Sequence, residues 1–193
     1  MDKLDEYLEE VRRLRNGRED EIPVFDDEDG RTDARVLFLF QDPGKSGAER
    51  SGKVGRTNDD PSARTFAKLN RDVGLDPKLT VSWNTIPCPM RESFPKELAR
   101  VREGGLIPRL LDALPKVEVV VLCGTSKAHR VTADVYAYAD GRGRDLMVLH
   151  GPHPSNRGLA AREGFTREQR TGWLRKVIEQ ARDHIERRRP NRG

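Results

Sequence analysis

The sequence predicts an α/β fold in three layers, with a central, mostly parallel four-stranded sheet and helices on both faces. Two observations predict this fold. Apolar residues are concentrated in short runs of strand length, and these runs alternate along the chain with segments of helical periodicity. At 193 residues the chain is long enough for one substantial core and too short for two ordinary domains. We therefore expect one α/β domain over residues 1–193.

Apolar residues at helical spacing predict five helical segments. The first, residues 2–16, is amphipathic and is followed by an acidic loop, so residues 1–34 form an N-terminal helix plus acidic loop. The others are expected over 62–73, over 95–114 with an interruption at Gly104–Gly105, in a segment that opens at Gly124–Thr125, and over 166–188. The apolar stripe of the last helix comprises Trp173, Val177, Ile178, Ala181 and Ile185.

Four continuous apolar runs predict the strands of the sheet, because parallel strands are buried on both faces. These runs span residues 35–40, 79–83, 117–123 and 146–150. The first run is followed by a polar segment, residues 41–61, which contains four glycines and two prolines and is expected to be a loop. A loop of this length inside a compact domain is usually functional or disordered.

Charge is distributed unevenly along the chain. The net charge is +4, but residues 1–34 carry thirteen acidic and six basic side chains, so the remainder is strongly basic. A basic domain attracts polyanions such as nucleic acid, although a solvated helix face explains the same charge equally well. The acidic N-terminal segment either shields a basic groove or is a helix that packs on the core.

Composition excludes several classes of protein. No apolar run approaches the roughly 20 residues of a membrane span, and the N-terminus lacks an apolar signal core. Two cysteines are too few for a disulfide framework, a zinc site or an iron–sulfur cluster. The four histidines lack metal-ligand spacing. We therefore expect a cytoplasmic protein with free thiols, no metal and no cofactor.

Three polar residues follow predicted strands, at the edge where an open parallel sheet binds ligands. Asp42 follows the first strand, Asn84 the second and His153 the fourth. A carboxylate, an amide and an imidazole that meet at one sheet edge can read a planar heterocycle and assist its acid–base or electrostatic chemistry. The sequence thus predicts a site for a heterocyclic ligand.

The segments that carry these residues resemble the signature segments of the uracil-DNA glycosylase superfamily. They are FQDPG at 40–44, WNT at 83–85 and HPS at 153–155, in the same order and at the same strand ends. The resemblance extends from Arg35 to Arg157. It implies a uracil-DNA glycosylase-like fold and a monofunctional, monomeric enzyme that extrudes uracil, or another deaminated base, from DNA. Such an enzyme hydrolyses the N-glycosidic bond and initiates base excision repair.

The resemblance also implies a role for each matching residue. Asp42 would position the attacking water and stabilise the sugar cation, and His153 would donate a hydrogen bond to the departing base. Asn84 would complement the pyrimidine edge of uracil and oppose that of cytosine. The remaining implied substrate-binding residues are Gln41, Gly44 and Ser155. The implied DNA-binding residues are Lys45, Ser46, Asn156 and Arg157.

The chain departs from the family pattern in ways that affect specificity. Gly44 stands where the most uracil-selective branch has a tyrosine, so exclusion of thymine is left open. Asn156 and Arg157 resemble the Pro-Arg pair of the single-strand-selective branch, in which the Arg can fill the gap left by an extruded nucleotide. The loop 41–61 contains no aromatic residue to stack on the base, and Phe66 is expected to be a core residue.

Two other functions are compatible with the same residues. The chain could bind damaged or abasic DNA without turnover, in which case binding occurs with no release of base. It could also hydrolyse nucleosides or nucleotides, in which case free deoxyuridine is a substrate and oligonucleotides are not.

Overall fold

The structure is a computed structural model that describes residues 2–15, 17–44, 47–124, 128–162 and 164–188. A four-stranded, all-parallel sheet lies between helices in an α/β arrangement, which confirms the predicted fold class. The strands are β1 Val24–Phe25, β2 Val36–Phe40, β3 Lys53–Val54, β4 Thr80–Asn84, β5 Val119–Cys123 and β6 Met147–Gly151. The helices are α1 Lys3–Leu14, α2 Ala48–Ser51, α3 Pro61–Asp72, α4 Phe94–Glu103, α5 Leu106–Ala113, α6 Thr132–Arg142, α7 Asn156–Leu159 and α8 Arg167–Arg187.

The strand order of the main sheet is β4-β2-β5-β6, and all three neighbouring pairs are parallel. These are the four strands that the apolar runs predict. The chain passes from β2 outward to β4 and then crosses back to β5, so the order reverses between β2 and β5. In open α/β sheets, ligands bind beyond the carboxyl ends of the strands near such a reversal.

Side chains of the central strand alternate between two apolar cores, as the period of a β-strand requires. Leu37 and Leu39 point into the core that contains residues of α1, α4, α5 and α6. Val36 and Phe38 point into the opposite core, which contains residues of α3 and α8. Helices therefore cover both faces of the sheet, as predicted.

The N-terminal segment packs on the outer edge of the sheet. Phe25 stacks on Trp83 of β4 with ring centroids 4.1 Å apart, and the Trp83 indole Nε1 donates to the Tyr7 hydroxyl at 3.1 Å. The carboxylate of Asp29 accepts from the Ser82 backbone N–H of β4 at 3.0 Å. These contacts cover an edge that would otherwise present unpaired backbone groups. The segment is thus a packed part of the fold.

Two segments expected to be loops contain short elements, and that expectation was wrong. β1 and β3 pair in parallel as a separate two-stranded sheet, and α2 forms a single turn before β3. A two-residue strand is too short to show alternation of apolar and polar residues. The break predicted at Gly104–Gly105 is confirmed, because Gly105 adopts a positive φ of 60° between α4 and α5.

Two helical predictions need correction. Gly124 has a φ of 148° and lies outside any helix, and α6 begins only at Thr132, after a 3-10 turn over Ala128–Val131. Thr125, the other residue of the predicted start, lies outside the described residues. Trp173 of α8 is 43% exposed, so it does not belong to the buried stripe of that helix. Leu174, the next residue along α8, is fully buried and occupies the place in the stripe that the sequence assigns to Trp173.

Within the described ranges, no helix combines the length and apolar character that crossing a membrane requires.

Candidate active site

A pocket beyond the carboxyl ends of the strands is lined by Asp42, Asn84 and His153. Asp42 lies two residues beyond β2, Asn84 is the last residue of β4, and His153 lies two residues beyond β6. The pocket has a volume of about 260 Å³. That value is close to the lower end of the range of about 300–1,000 Å³ for small-molecule sites. The three residues that the motifs single out therefore face one hollow.

Strand register fixes the position of Asn84 in this pocket. Asn84 pairs with Phe40, the last residue of β2. Two further backbone bonds continue the pairing beyond the sheet, from Thr85 N–H to the Phe40 carbonyl (2.8 Å) and from Ile86 N–H to the Gln41 carbonyl (2.9 Å). The loop that carries Asp42 is thereby held beside Asn84.

The amide of Asn84 is buried and partly unsatisfied. Its side chain is 3% exposed, and Nδ2 has no hydrogen-bond partner among the described residues. A buried donor without an acceptor costs about 1–3 kcal/mol, so native structures rarely leave one without a functional reason. Asn84 lines the pocket, and rotation of its amide would present this donor to a carbonyl of a ligand.

His153 is held as a neutral imidazole with a defined tautomer. Its Nδ1 accepts a hydrogen bond from the Ser155 backbone N–H at 3.1 Å, so the proton of the neutral ring is on Nε2. Burial lowers the pKa of His153 to about 4, and the negative charge of Asp60 opposes that shift. At neutral pH the ring therefore offers an uncharged N–H donor. The ring of Phe40 packs against it edge to face, with centroids 5.3 Å apart.

Gln41, which the motif implies as a substrate-binding residue, bonds through its side chain to Asp42. Its Nε2 donates to Oδ1 of Asp42 at 2.7 Å, and Gln41 is not among the described residues that line the pocket. The contact fixes one oxygen of the Asp42 carboxylate. Gln41 therefore acts on the site through Asp42.

Gly44 and Ser155 both line the pocket. A Cβ placed on Gly44 would meet no described atom within 4 Å, so the glycine leaves open space at this wall. The Ser155 hydroxyl oxygen accepts from the Gly158 N–H at 3.0 Å and caps α7. Its hydroxyl proton stays available to another acceptor.

Of the residues expected to contact DNA, the two that the structure describes, Asn156 and Arg157, lie outside the pocket lining. Asn156 and Arg157 are exposed at the start of α7, and the Asn156 amide oxygen accepts from Arg167 at 3.0 Å. Lys45 and Ser46 lie outside the described residues.

Two aromatic rings line the pocket, although the loop after β2 contains none. Phe40 and Phe66 meet edge to face with centroids 5.6 Å apart, and Phe66 also packs on Phe38 at 4.7 Å. Phe66 is 2% exposed, so it is a core residue as expected, and it also forms part of the pocket wall. The sequence offered no sign that one ring would do both.

Sequence reasoning missed two polar residues that line the pocket, Asn58 and Asp60. Both lie in the loop between β3 and α3 and are more than nine-tenths buried. The pair Asp60–Pro61 is a recognisable helix start, because Asp is a preferred N-cap and Pro a preferred first residue. That signal predicts where α3 begins, but it does not place Asp60 in a pocket 18 residues after Asp42.

Other reactive groups are absent from the described part of the site. No group of three or more His, Cys, Asp or Glu side chains within the described ranges is placed to hold a metal ion. Cys88 and Cys123 are free thiols, and burial raises the pKa of each. Buried thiols with raised pKa values are poor nucleophiles.

In comparisons with known proteins, no family model and no curated protein matches this chain. Arguments about its function therefore depend on the pocket and on the three motifs.

Proposed function

We propose that this protein is a monofunctional DNA glycosylase that extrudes uracil, or another deaminated base, from DNA and hydrolyses its N-glycosidic bond. The observation that carries the proposal is the neutral His153, whose Nδ1 is bonded and whose ring lines the same pocket as Asp42 and Asn84. An uncharged N–H donor stabilises a base that departs as an anion, and the donor keeps its proton while it does so.

Asn84 supplies the recognition of the base. Its unpartnered Nδ2 would donate to a ring carbonyl, and its amide oxygen would accept from the neighbouring ring N–H. Uracil presents this combination on its Watson–Crick edge, whereas cytosine presents the reverse. The pocket volume accommodates a single base, which requires the nucleotide to leave the helical stack first.

Bond cleavage follows from the charges around the sugar. As the C1′–N bond breaks, its electron pair leaves with the base, and positive charge builds on the deoxyribose. The Asp42 carboxylate stabilises that charge, directs a water oxygen to C1′ and takes the proton that the water loses. The base anion, held by His153, takes a proton from solvent on release. The products are a free base and an abasic site.

DNA would bind through charge around the pocket mouth. Arg157 is exposed at the start of α7, where it would enter the gap left by the extruded nucleotide or pair with a phosphate. Ser155 would contact a phosphate with its free hydroxyl proton. Lys45 and Ser46 belong to this proposed surface on sequence grounds alone.

A glycosylase assay with paired histidine variants tests the proposal. The substrates are single- and double-stranded oligonucleotides with one uracil, thymine, hypoxanthine or xanthine, and abasic sites are detected by alkaline cleavage. The wild type should release uracil, and His153→Ala should lower the rate by about 100- to 1,000-fold. His184→Ala is the control, because His184 lies on α8 outside the pocket lining and should retain full activity.

Other outcomes contradict the proposal in distinct ways. Saturable binding of uracil-containing DNA with no release of base favours a non-catalytic binder. Hydrolysis of free deoxyuridine but not of oligonucleotides favours a nucleoside hydrolase. Within the proposal, the open space at Gly44 predicts that thymine opposite guanine is also released, more slowly than uracil.

A further inference from the structure

Asp60 brings a second carboxylate to the pocket. It is the residue before α3, it is 9% exposed, and it lines the pocket together with Asp42. None of the three motifs contains it. A buried carboxylate needs a partner or a function, because its burial without either is costly.

One carboxylate oxygen of Asp60 accepts hydrogen bonds from the helix that follows, α3. Oδ1 accepts from the backbone N–H groups of Ser62 at 2.8 Å and Ala63 at 3.1 Å, which are orphan donors of the first turn of α3. These bonds fix the orientation of the carboxylate. No described residue donates a hydrogen bond to Oδ2, and this oxygen is open to the pocket.

The loop after β2 approaches this free oxygen closely. A Cβ built on Gly47 would lie 2.6 Å from Oδ2 and 3.3 Å from Cγ of Asp60. A side chain at position 47 would therefore displace the carboxylate. Gly47 also lines the pocket, so the loop that carries Asp42 and the cap of α3 meet around Oδ2.

Asp60 also acts on the imidazole of the site. Its charge raises the pKa of His153 against the larger, opposite effect of burial. The Asp60 carboxylate and the imidazole are therefore electrostatically coupled, and both line the pocket that contains Asp42. A capping role accounts for Oδ1, whereas Oδ2 is open to the pocket.

We propose that Asp60 is a second catalytic carboxylate, whose Oδ2 lies against the deoxyribose and stabilises, with Asp42, the positive charge that develops there. This inference rests on the proposed glycosylase function. Asp60 forms no bond and takes no proton in this role, because the water proton passes to Asp42. The contribution is electrostatic, and it becomes stronger when bound DNA excludes bulk water from the pocket.

The variant Asp60→Asn isolates this role. Asn caps helices as well as Asp, so Oδ1 of the new side chain keeps its bonds to α3 while the charge is lost. Asp59→Asn is the matched control. Asp59 is the neighbouring acidic residue, it is exposed, it pairs with Arg64, and it is not among the residues that line the pocket.

Single-turnover cleavage of uracil-containing DNA should be about 100-fold slower or more in Asp60→Asn and unchanged in Asp59→Asn. Asp60→Ser, which also keeps a capping oxygen, should match Asp60→Asn. Both Asp60 variants should keep the wild-type midpoint of thermal unfolding within a few degrees. In an NMR titration, the pKa of His153 should fall in Asp60→Asn and stay constant in Asp59→Asn.

An Asp60→Asn protein that cleaves at the wild-type rate, or faster, overturns the inference while the glycosylase function stands. A faster rate would mean that the charge faces the departing anion instead of the sugar. A wild-type protein that releases no base from any oligonucleotide overturns the proposed function, and the inference is rejected with it.

Discussion

Two groups of buried polar side chains, Asp26 with Asp29 and Asn84 with Asp60, differ in how their hydrogen-bonding atoms are used. Asp26 and Asp29 are almost fully buried beneath the outer edge of β4, and each of their four carboxylate oxygens accepts at least one hydrogen bond. The donors are the backbone N–H groups of Glu28, Thr57 and Ser82, the hydroxyl of Thr57 and the guanidinium of Arg56.

In the pocket, by contrast, some polar atoms have no hydrogen-bond partner within the described part of the chain. Nδ2 of Asn84 is buried and has no partner among the described residues. No described residue donates to Oδ2 of Asp60, which is open to the pocket. The carboxylates of Asp26 and Asp29 are thus satisfied within the fold, whereas these two pocket atoms are not. This difference supports a structural role for Asp26 and Asp29 and our proposal that the pocket groups bind a ligand.

The largest expected effect comes from breaking the buried ion pair between Arg56 and Asp29. Arg56→Ala removes the 2.9 Å ion pair to Asp29 and the contact of the guanidinium with the Phe66 ring. It leaves a buried carboxylate without its partner, so the free energy of unfolding should fall by about 3–5 kcal/mol in urea titrations. Arg64→Ala, which breaks an exposed ion pair with Asp59, should cost less than about 1 kcal/mol. Equal losses in the two variants would contradict the structural role of Asp29.

Asp29, beside β4, and His153, in the pocket, should have opposite effects on how the free energy of unfolding depends on pH. Burial raises the pKa of Asp29 to about 6, against the effect of Arg56, so the folded state holds a proton that the unfolded state has lost. Stability from this group therefore falls as pH rises from about 4 to 6. His153 has its pKa lowered to about 4, so its contribution to stability rises with pH from about 4 to 6.5.

Each effect is at most of the order of 3 kcal/mol, and in the wild type they should largely cancel. Asp29→Asn should make the free energy of unfolding rise between pH 4 and 6, and His153→Ala should make it fall. Denaturant titrations at several pH values measure both slopes. Slopes of the same sign in the two variants would show that one of these environments is misassigned.

The smallest expected effect is on the stability of the pocket itself. Asn84→Ala removes a buried donor that has no partner, so it should change the free energy of unfolding by less than about 1 kcal/mol. The same change should strongly reduce the release of uracil. A large loss of stability would mean that Asn84 holds the fold together, and the contrast between the two regions would fail at that residue.

The apolar runs predicted all four strands of the main sheet, because a parallel strand buried on both faces leaves a continuous pattern in the sequence. The same reasoning predicted that Asp42, Asn84 and His153 would lie at one edge, since carboxyl ends of parallel strands meet there. The local sequence pattern is therefore sufficient to predict the main sheet and the edge at which these three residues meet.

The rest depends on contacts between distant segments. Arg56 binds Asp29, which lies 27 residues earlier in the chain, and the sequence around neither residue predicts this ion pair. Asp60 enters the pocket because α3 packs on β2 through Phe66, which no spacing within the loop 41–61 reveals. Gln41 was assigned to the substrate from its motif, whereas its side-chain geometry ties it to Asp42.

The bond between Tyr7 and Trp83 joins residues that are 76 positions apart, so α1 is synthesised well before the strand on which it packs. At ordinary elongation rates the ribosome needs about 4–15 s to cover that distance. A helix of 12 residues is marginal in water without tertiary packing. During each round of translation, the apolar face of this segment is therefore open to neighbouring nascent chains for seconds, and slower codons before Trp83 would lengthen that exposure.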